Sequence, residues 1–139
     1  MMTTAALQDE IIRKFRLLNG DPEMITVYLM ELGKALPVMS EAEKTPYNLV
    51  SGCHSKVWMT AVLQHGKVWF KADSNAAIVR GIISLLLKIL NGQPPEVILH
   101  TDLYFIRENS LRRFVGSVRA EGFQSLITKI KYRVLKLQE

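Results

Sequence analysis

The chain has 139 residues, of which 48% are hydrophobic, and this length and composition fit one folded domain over residues 1–139 while excluding a disordered tail. Its net charge of +5 is compatible with an acidic partner or a nucleic acid, but the basic residues are scattered and lack interleaved aromatic side chains, so an ordinary solvated surface is favoured. The single cysteine excludes an internal disulfide, residues 1–9 show no secretory signal, and no apolar stretch reaches the about 20 residues that a bilayer span needs. We therefore expect a cytoplasmic protein that binds neither nucleic acid nor membrane.

Two amphipathic helices are predicted at the start of the chain. The first has apolar residues at helical spacing: Leu7, Ile11, Phe15 and Leu18. The pair Asn19-Gly20 predicts its end, and Asp21, Pro22 and Glu23 predict the start of the next helix through a capping residue, a first-turn proline and an acid near the positive end of the helix dipole. The second stripe consists of Ile25, Leu29, Leu32 and Leu36. We expect an antiparallel helix pair that ends at Pro37.

A loop and a β-hairpin follow the helix pair. Residues 37–52 are rich in residues that break regular structure, although 48–50 could form a short edge strand. Alternating apolar residues around a turn at 64–66 predict a hairpin over residues 56–72. Its buried face should carry Val57, Met59, Ala61, Leu63, Val68 and Phe70.

The second half of the chain is predicted to be helical. Asp73-Ser74 can cap a helix over 75–90, which is apolar on most sides and should lie at the centre of the core. A helical turn at 94–99, an irregular stretch at 101–109 and a short helix after Ser110 come next, and the strongest apolar stripe predicts a final helix over 121–137. Helices, a small antiparallel sheet and further helices in one domain indicate an α+β fold.

The only cysteine, Cys53, lies in the segment SGCHSKVW, between the predicted loop and the predicted hairpin. A free cysteine is often a small buried hydrophobic residue. Gly52, however, allows close approach of another molecule, and loops that a rigid element positions often carry reactive groups. Both a structural and a chemical role for the thiol are therefore open.

Three chemistries could use this thiol. A metal site would need close-spaced ligand pairs, and the candidates Cys53, His54, His65 and His100 offer only the adjacent first two, so no metal is expected. A Cys-His hydrolase could use His54 or His100 as base and Gly52 near an oxyanion hole, but no residue marks the group that orients the base. A lone thiolate has no resolving partner to complete a disulfide cycle, yet it can receive a group such as persulfide sulfur and pass it on.

Two longer segments resemble the SufE family of sulfur acceptor proteins: YNLVSGCHSKVWM and, about 20 residues later, ADSNAAIVRGIISLLL. The resemblance extends from YLMELGKALP in the second predicted helix to RAEGFQSLITKIK near the end, and so covers almost the whole chain. It implies an α+β fold similar to that of iron–sulfur scaffold proteins.

The resemblance also implies a function. The chain would accept sulfane sulfur on Cys53 from a SufS-like, pyridoxal-phosphate-dependent cysteine desulfurase and pass it to an iron–sulfur scaffold complex. Clearing the persulfide would stimulate the desulfurase, so the chain would be an accessory sulfurtransferase with no turnover and no cofactor of its own, since pyridoxal phosphate is on the partner. The alternative is a non-catalytic binding module in which Cys53 is structural and a basic surface binds an acidic partner or nucleic acid.

Other positions match the family pattern around the thiol. Gly52 and Ser55 flank the acceptor position, and His54 stands where the family commonly has glutamine. Asp73 lies beside the cysteine loop in the family pattern, although a helix cap is a sufficient structural role for it. Arg119 matches a family arginine that would contact the desulfurase or steady the thiolate, with an ordinary surface cation as the alternative.

Overall fold

The two helices predicted at the start of the chain are present, and the second ends at Lys34, before its predicted end at Pro37. The computed structural model describes residues 2–51, 55–108, 111–112, 114 and 120–139. Helix α1 (Thr4–Arg16) is capped by the Thr3 hydroxyl, and helix α2 (Pro22–Lys34) by the Asp21 carboxylate, which accepts from the backbone N–H groups at the start of α2. Between the helices, Asn19 and Gly20 have φ of 52° and 70°, the left-handed conformation that ends a helix.

The predicted hairpin is present and extends two residues beyond its predicted end. Strands β1 (Val57–Gln64) and β2 (Lys67–Ser74) pair antiparallel, and Gln64 faces Lys67 across a turn in which both central residues, His65 and Gly66, have positive φ. The buried face holds Val57, Met59, Val68, Phe70 and Ala72. Leu63, predicted on this face, is 39% exposed because it lies next to the turn. The alternation of apolar and polar residues therefore predicts the strand register correctly, but side chains become more exposed toward the turn of the hairpin.

Short segments occupy part of both edges of this sheet. Leu49 forms an antiparallel bridge with Trp58, which confirms the edge strand expected at 48–50. On the other side, Gln93 bridges Val68, and the Asn91 side chain accepts a 2.7 Å hydrogen bond from the Phe70 N–H. Backbone groups that would otherwise lack partners at a sheet edge are thereby satisfied.

Helix α3 (Ala77–Leu90) lies at the centre of the core, as its composition predicts. Its buried residues occupy most of its circumference: Val79, Gly81, Ile82, Ile83, Leu85, Leu86, Leu87, Ile89 and Leu90. Gly81 lies against the backbone of Leu29 in α2, so closely that a Cβ atom there would overlap the Leu29 carbonyl. The helix begins at Ala77 rather than at the predicted residue 75, because β2 continues through Ser74.

Two further helices complete the described structure. Helix α4 (Pro95–His100) matches the predicted turn, and helix α5 (Ala120–Leu137) matches the predicted final helix. The stretch expected to be irregular contains a 3-10 turn, Tyr104–Arg107, which the buried Gln8 of α1 holds by accepting from the Phe105 N–H. The short helix expected after Ser110 lies largely outside the described residues. None of the described helices has both the length and the apolar character that a bilayer crossing requires.

Candidate functional site

The connection that carries the cysteine runs from residue 51 to residue 56, and its two ends are fixed by strand pairing. The Val50 N–H donates to the Val57 carbonyl at 2.8 Å, and both side chains are buried. One step further out, the Met59 N–H donates to the Asn48 carbonyl at 2.9 Å. The sequence therefore folds into a frame that fixes both flanks of the thiol-bearing connection.

The predicted site residues divide into those that the structure places and those outside its described part. Gly52, Cys53, His54 and Arg119 belong to the second group. Ser55 is half-buried, and the next residue, Lys56, donates its N–H to the Asn75 side chain at 3.1 Å. Asp73 is buried in β2, directly opposite Trp58.

Asp73 is the anionic centre of a charged cluster beside this frame. Its carboxylate accepts from the Arg80 guanidinium at 2.5 Å and lies 3.4 Å from the Lys44 ammonium. The Lys44 ammonium also lies 5.1 Å from the centre of the Trp58 ring, within the range of a cation–π contact. We call Asp73, Arg80 and Lys44 the carboxylate cluster. Two cations compensate the buried carboxylate, as burial of a charge requires.

Arg80 connects the carboxylate cluster to the end of α2. Its Nε and Nη2 atoms donate to the Gly33 carbonyl at 3.2 and 3.0 Å. A cation at this place is favoured because the carbonyl end of a helix carries partial negative charge. One side chain thus ties together α2, the end of β2 and the start of α3.

The predicted role of Asp73 as a helix cap is wrong. The residue that caps α3 is Ala76, which makes no side-chain capping bond. Because β2 extends to Ser74, Asp73 lies within a strand, and its carboxylate bonds to Arg80 and to the Ser74 N–H instead. The sequence does contain an indication of this ion pair. Arg80 is a cation in the first turns of a helix that is otherwise apolar on most sides, and such a cation needs a nearby anion.

A second charged group, which sequence reasoning missed, lies on the other side of the frame. Lys129 and Arg133, one turn apart on α5, contact residues 47–49 just before the thiol-bearing connection. Burial and the nearby Arg133 guanidinium lower the pKa of the Lys129 ammonium.

Replacing Arg80 with methionine should destabilise the fold by about 2 kcal/mol, because it leaves the buried Asp73 carboxylate with one cation and removes the two Arg80 donors from the Gly33 carbonyl. Urea denaturation followed by circular dichroism measures the change in the free energy of unfolding. The matched control is Lys71→Met, which removes the more exposed ion pair with Glu43 and should cost much less, because solvent screens that pair. Equal costs for the two variants would contradict a structural role for the carboxylate cluster.

Metal ligands do not gather in the part of the chain that the structure describes. There, no three His, Cys, Asp or Glu side chains form a group that could hold a metal ion. Two of the sequence candidates, Cys53 and His54, lie outside that part.

The whole chain was compared with protein families, sequences and solved structures. The model of the SufE family, described as an Fe-S metabolism associated domain, matches residues 9–134. The chain is 33% identical over 129 residues to an uncharacterised SufE-like protein from Synechocystis, and the alignment covers 93% of this chain and 80% of that protein. Among solved structures, the solution structure of a hypothetical protein from Thermus thermophilus matches with a TM-score of 0.76 at 22% identity, covering 95% of this chain and 96% of that one. The structural match confirms the predicted α+β fold.

Proposed function

Because the chain belongs to the SufE family and so has a role in iron–sulfur metabolism, we propose that it accepts sulfane sulfur on Cys53 from a pyridoxal-phosphate-dependent cysteine desulfurase and delivers it to an iron–sulfur scaffold. One observation carries the proposal. The only cysteine of the chain lies within the matched range 9–134, on a connection whose two ends are fixed by strand pairing at Val50 and Val57. A thiol on a connection that is anchored at both ends suits transfer between proteins.

The transfer is a nucleophilic displacement at sulfur. The Cys53 thiolate attacks the terminal sulfur of the desulfurase persulfide, the S–S bond of that persulfide breaks, and a new S–S bond forms on Cys53. The desulfurase cysteine leaves as a thiolate, which takes up a proton equivalent to the one that Cys53 released. No net oxidation or reduction occurs, so the step needs neither a redox cofactor nor a metal.

Stimulation of the desulfurase follows from clearing its persulfide. The desulfurase cysteine must be free before the next substrate molecule is processed, and transfer to Cys53 frees it. The chain itself holds no cofactor in this scheme. Arg119 is proposed to contact the desulfurase, and Gly52, His54 and Ser55 to shape the connection around the thiol.

The proposal is tested by intact mass spectrometry after incubation with a cysteine desulfurase and cysteine. We expect a gain of one sulfur atom, about 32 Da, that reductant removes as sulfide, because a persulfide is reducible. Protein alkylated on Cys53 beforehand is the control and should gain nothing. A wild-type mass that stays unchanged would support the alternative, a binding module with a structural cysteine.

A further inference from the structure

We propose that Lys129 and Arg133 are positioning residues for the thiol, holding residues 47–49 and with them the strand end that leads into the Cys53 connection. We call this pair the α5 clamp. The proposal rests on the function proposed above and adds to it a device on the final helix, far from the cysteine in sequence.

Lys129 binds the backbone on both sides of Asn48. Its ammonium donates to the Tyr47 carbonyl at 2.7 Å and to the Leu49 carbonyl at 3.1 Å. Neither Lys129 nor Arg133 forms an ion pair with a carboxylate among the described side chains. The charge of the partially buried Lys129 ammonium is therefore compensated by carbonyl dipoles of one short segment. The position of the ammonium depends on that segment, and the position of the segment depends on the ammonium.

Arg133 binds the side chains of the same segment. Its Nη2 donates to the Asn48 side-chain oxygen at 2.9 Å, and its guanidinium lies 4.2 Å from the centre of the Tyr47 ring. The other end of the Asn48 amide donates to the Glu43 carbonyl at 2.7 Å. The Arg133 Nη1 is buried with no hydrogen-bond partner among the described residues, a cost that the stacked and bonded position of the guanidinium must offset.

The clamped segment needs this support because its strand pairing is short. Residues 48–50 pair with β1 through one bridge and two flanking backbone hydrogen bonds, and so short an edge strand is marginal on its own. On the far side of the connection, Lys56 is fixed by Asn75 and the carboxylate cluster lies beside β1 and β2. The α5 clamp thus secures the near end of the thiol-bearing connection, and other contacts secure the far end.

The test compares Lys129→Met and Arg133→Met with Lys131→Met, a lysine on the same helix outside the clamp. Two kinds of measurement are made well below the midpoint of thermal unfolding. One gives the rate constant for alkylation of Cys53 by iodoacetamide, and the other gives kcat and KM for stimulation of the desulfurase. We expect alkylation about three- to tenfold faster in each clamp variant, since each loses one or two hydrogen bonds. We expect kcat for sulfur transfer to fall by a similar factor with little change in KM, because the variants leave Arg119, the proposed desulfurase contact, unchanged. Lys131→Met should match the wild type.

Conservative variants separate positioning from simple loss of stability. Lys129→Arg keeps a cationic donor and should restore much of the transfer rate even where its thermal midpoint is lowered. Alkylation and transfer rates equal to those of Lys131→Met in both clamp variants would overturn the clamp. If the methionine variants fail to fold, the same two rates are measured in Arg133→Lys, which loses the planar contact with Tyr47, and unchanged rates there would overturn it as well.

The clamp and the proposed function can fail separately. If wild-type protein gains no sulfur from the desulfurase, the proposed function fails, and the alkylation rates still decide whether the clamp holds the connection. If wild-type protein is loaded normally and the clamp variants alkylate and transfer like the control, only the clamp is overturned.

Discussion

Cys53→Ser is expected to reduce desulfurase stimulation to the level seen with no added protein while leaving the fold nearly unchanged. Serine and cysteine differ little in size, so we expect no rearrangement of the core around the fixed strand ends. A serine hydroxyl is not appreciably ionised near neutral pH and is a far poorer nucleophile toward sulfane sulfur than a thiolate. The variant should therefore still bind the desulfurase and fail at the chemical step.

Sulfide release in the presence of reductant measures the stimulation, and a pull-down or calorimetric titration measures the binding. Cys53→Ala serves as the second variant, because its equal failure would show that the missing thiol, and not the new hydroxyl, is responsible. Stimulation by Cys53→Ser at the wild-type rate would exclude Cys53 as the sulfur acceptor and leave it a structural role.

Gly81→Ala is expected to be strongly destabilising, because it adds a methyl group where the core has no space for one. A Cβ atom at this position would overlap the Leu29 carbonyl oxygen and lie 2.7 Å from the carbonyl carbon. Both atoms belong to the backbone of α2, so no side-chain rotation can relieve the overlap. Helices α2 and α3 must move apart, which loosens the packing of fully buried residues such as Leu29 and Ile82. We expect a loss of about 3 kcal/mol or more in the free energy of unfolding.

The control for this variant is Gly20→Ala, in the turn between α1 and α2. Gly20 has φ of 70°, and no atom lies within 4 Å of the place that an alanine methyl group would take, so alanine there meets backbone strain without overlap. Its cost should be about 1 kcal/mol. Chemical denaturation of both variants gives the two free energies, and a Gly81→Ala protein no less stable than Gly20→Ala would refute the backbone contact between α2 and α3.

The local elements of this fold are predictable because local rules determine them. The capping residue Asp21, the turn at Asn19-Gly20 and the alternation from Val57 to Phe70 act within a few residues of one another, and the structure has the helices and the hairpin where these signals put them. The predicted start of α3 is two residues too early. The pair Asp73-Ser74 has the sequence pattern of a helix cap, but in the structure it forms the end of β2.

The contacts around the candidate site could not be predicted in the same way. Lys129 and Leu49 are 80 residues apart in sequence, and Arg80 and Gly33 are 47 apart, so only the packed fold brings them together. Periodicity indicates which face of α5 is buried, but it does not indicate which backbone carbonyls that face will meet. A sequence motif was enough to identify the thiol position, whereas the residues that hold its flanks are identified only by the structure.

The occupied edge of β1 also bears on the risk of aggregation. Residues 48–50 cover the Val57–Met59 part of that edge, and an uncovered strand edge is a template for pairing with another chain. Displacement of residues 48–50 would expose this part of the edge together with the apolar side chain of Val50, which is buried in the structure. Resistance to aggregation through this strand edge therefore depends on the same few contacts that keep residues 48–50 in place.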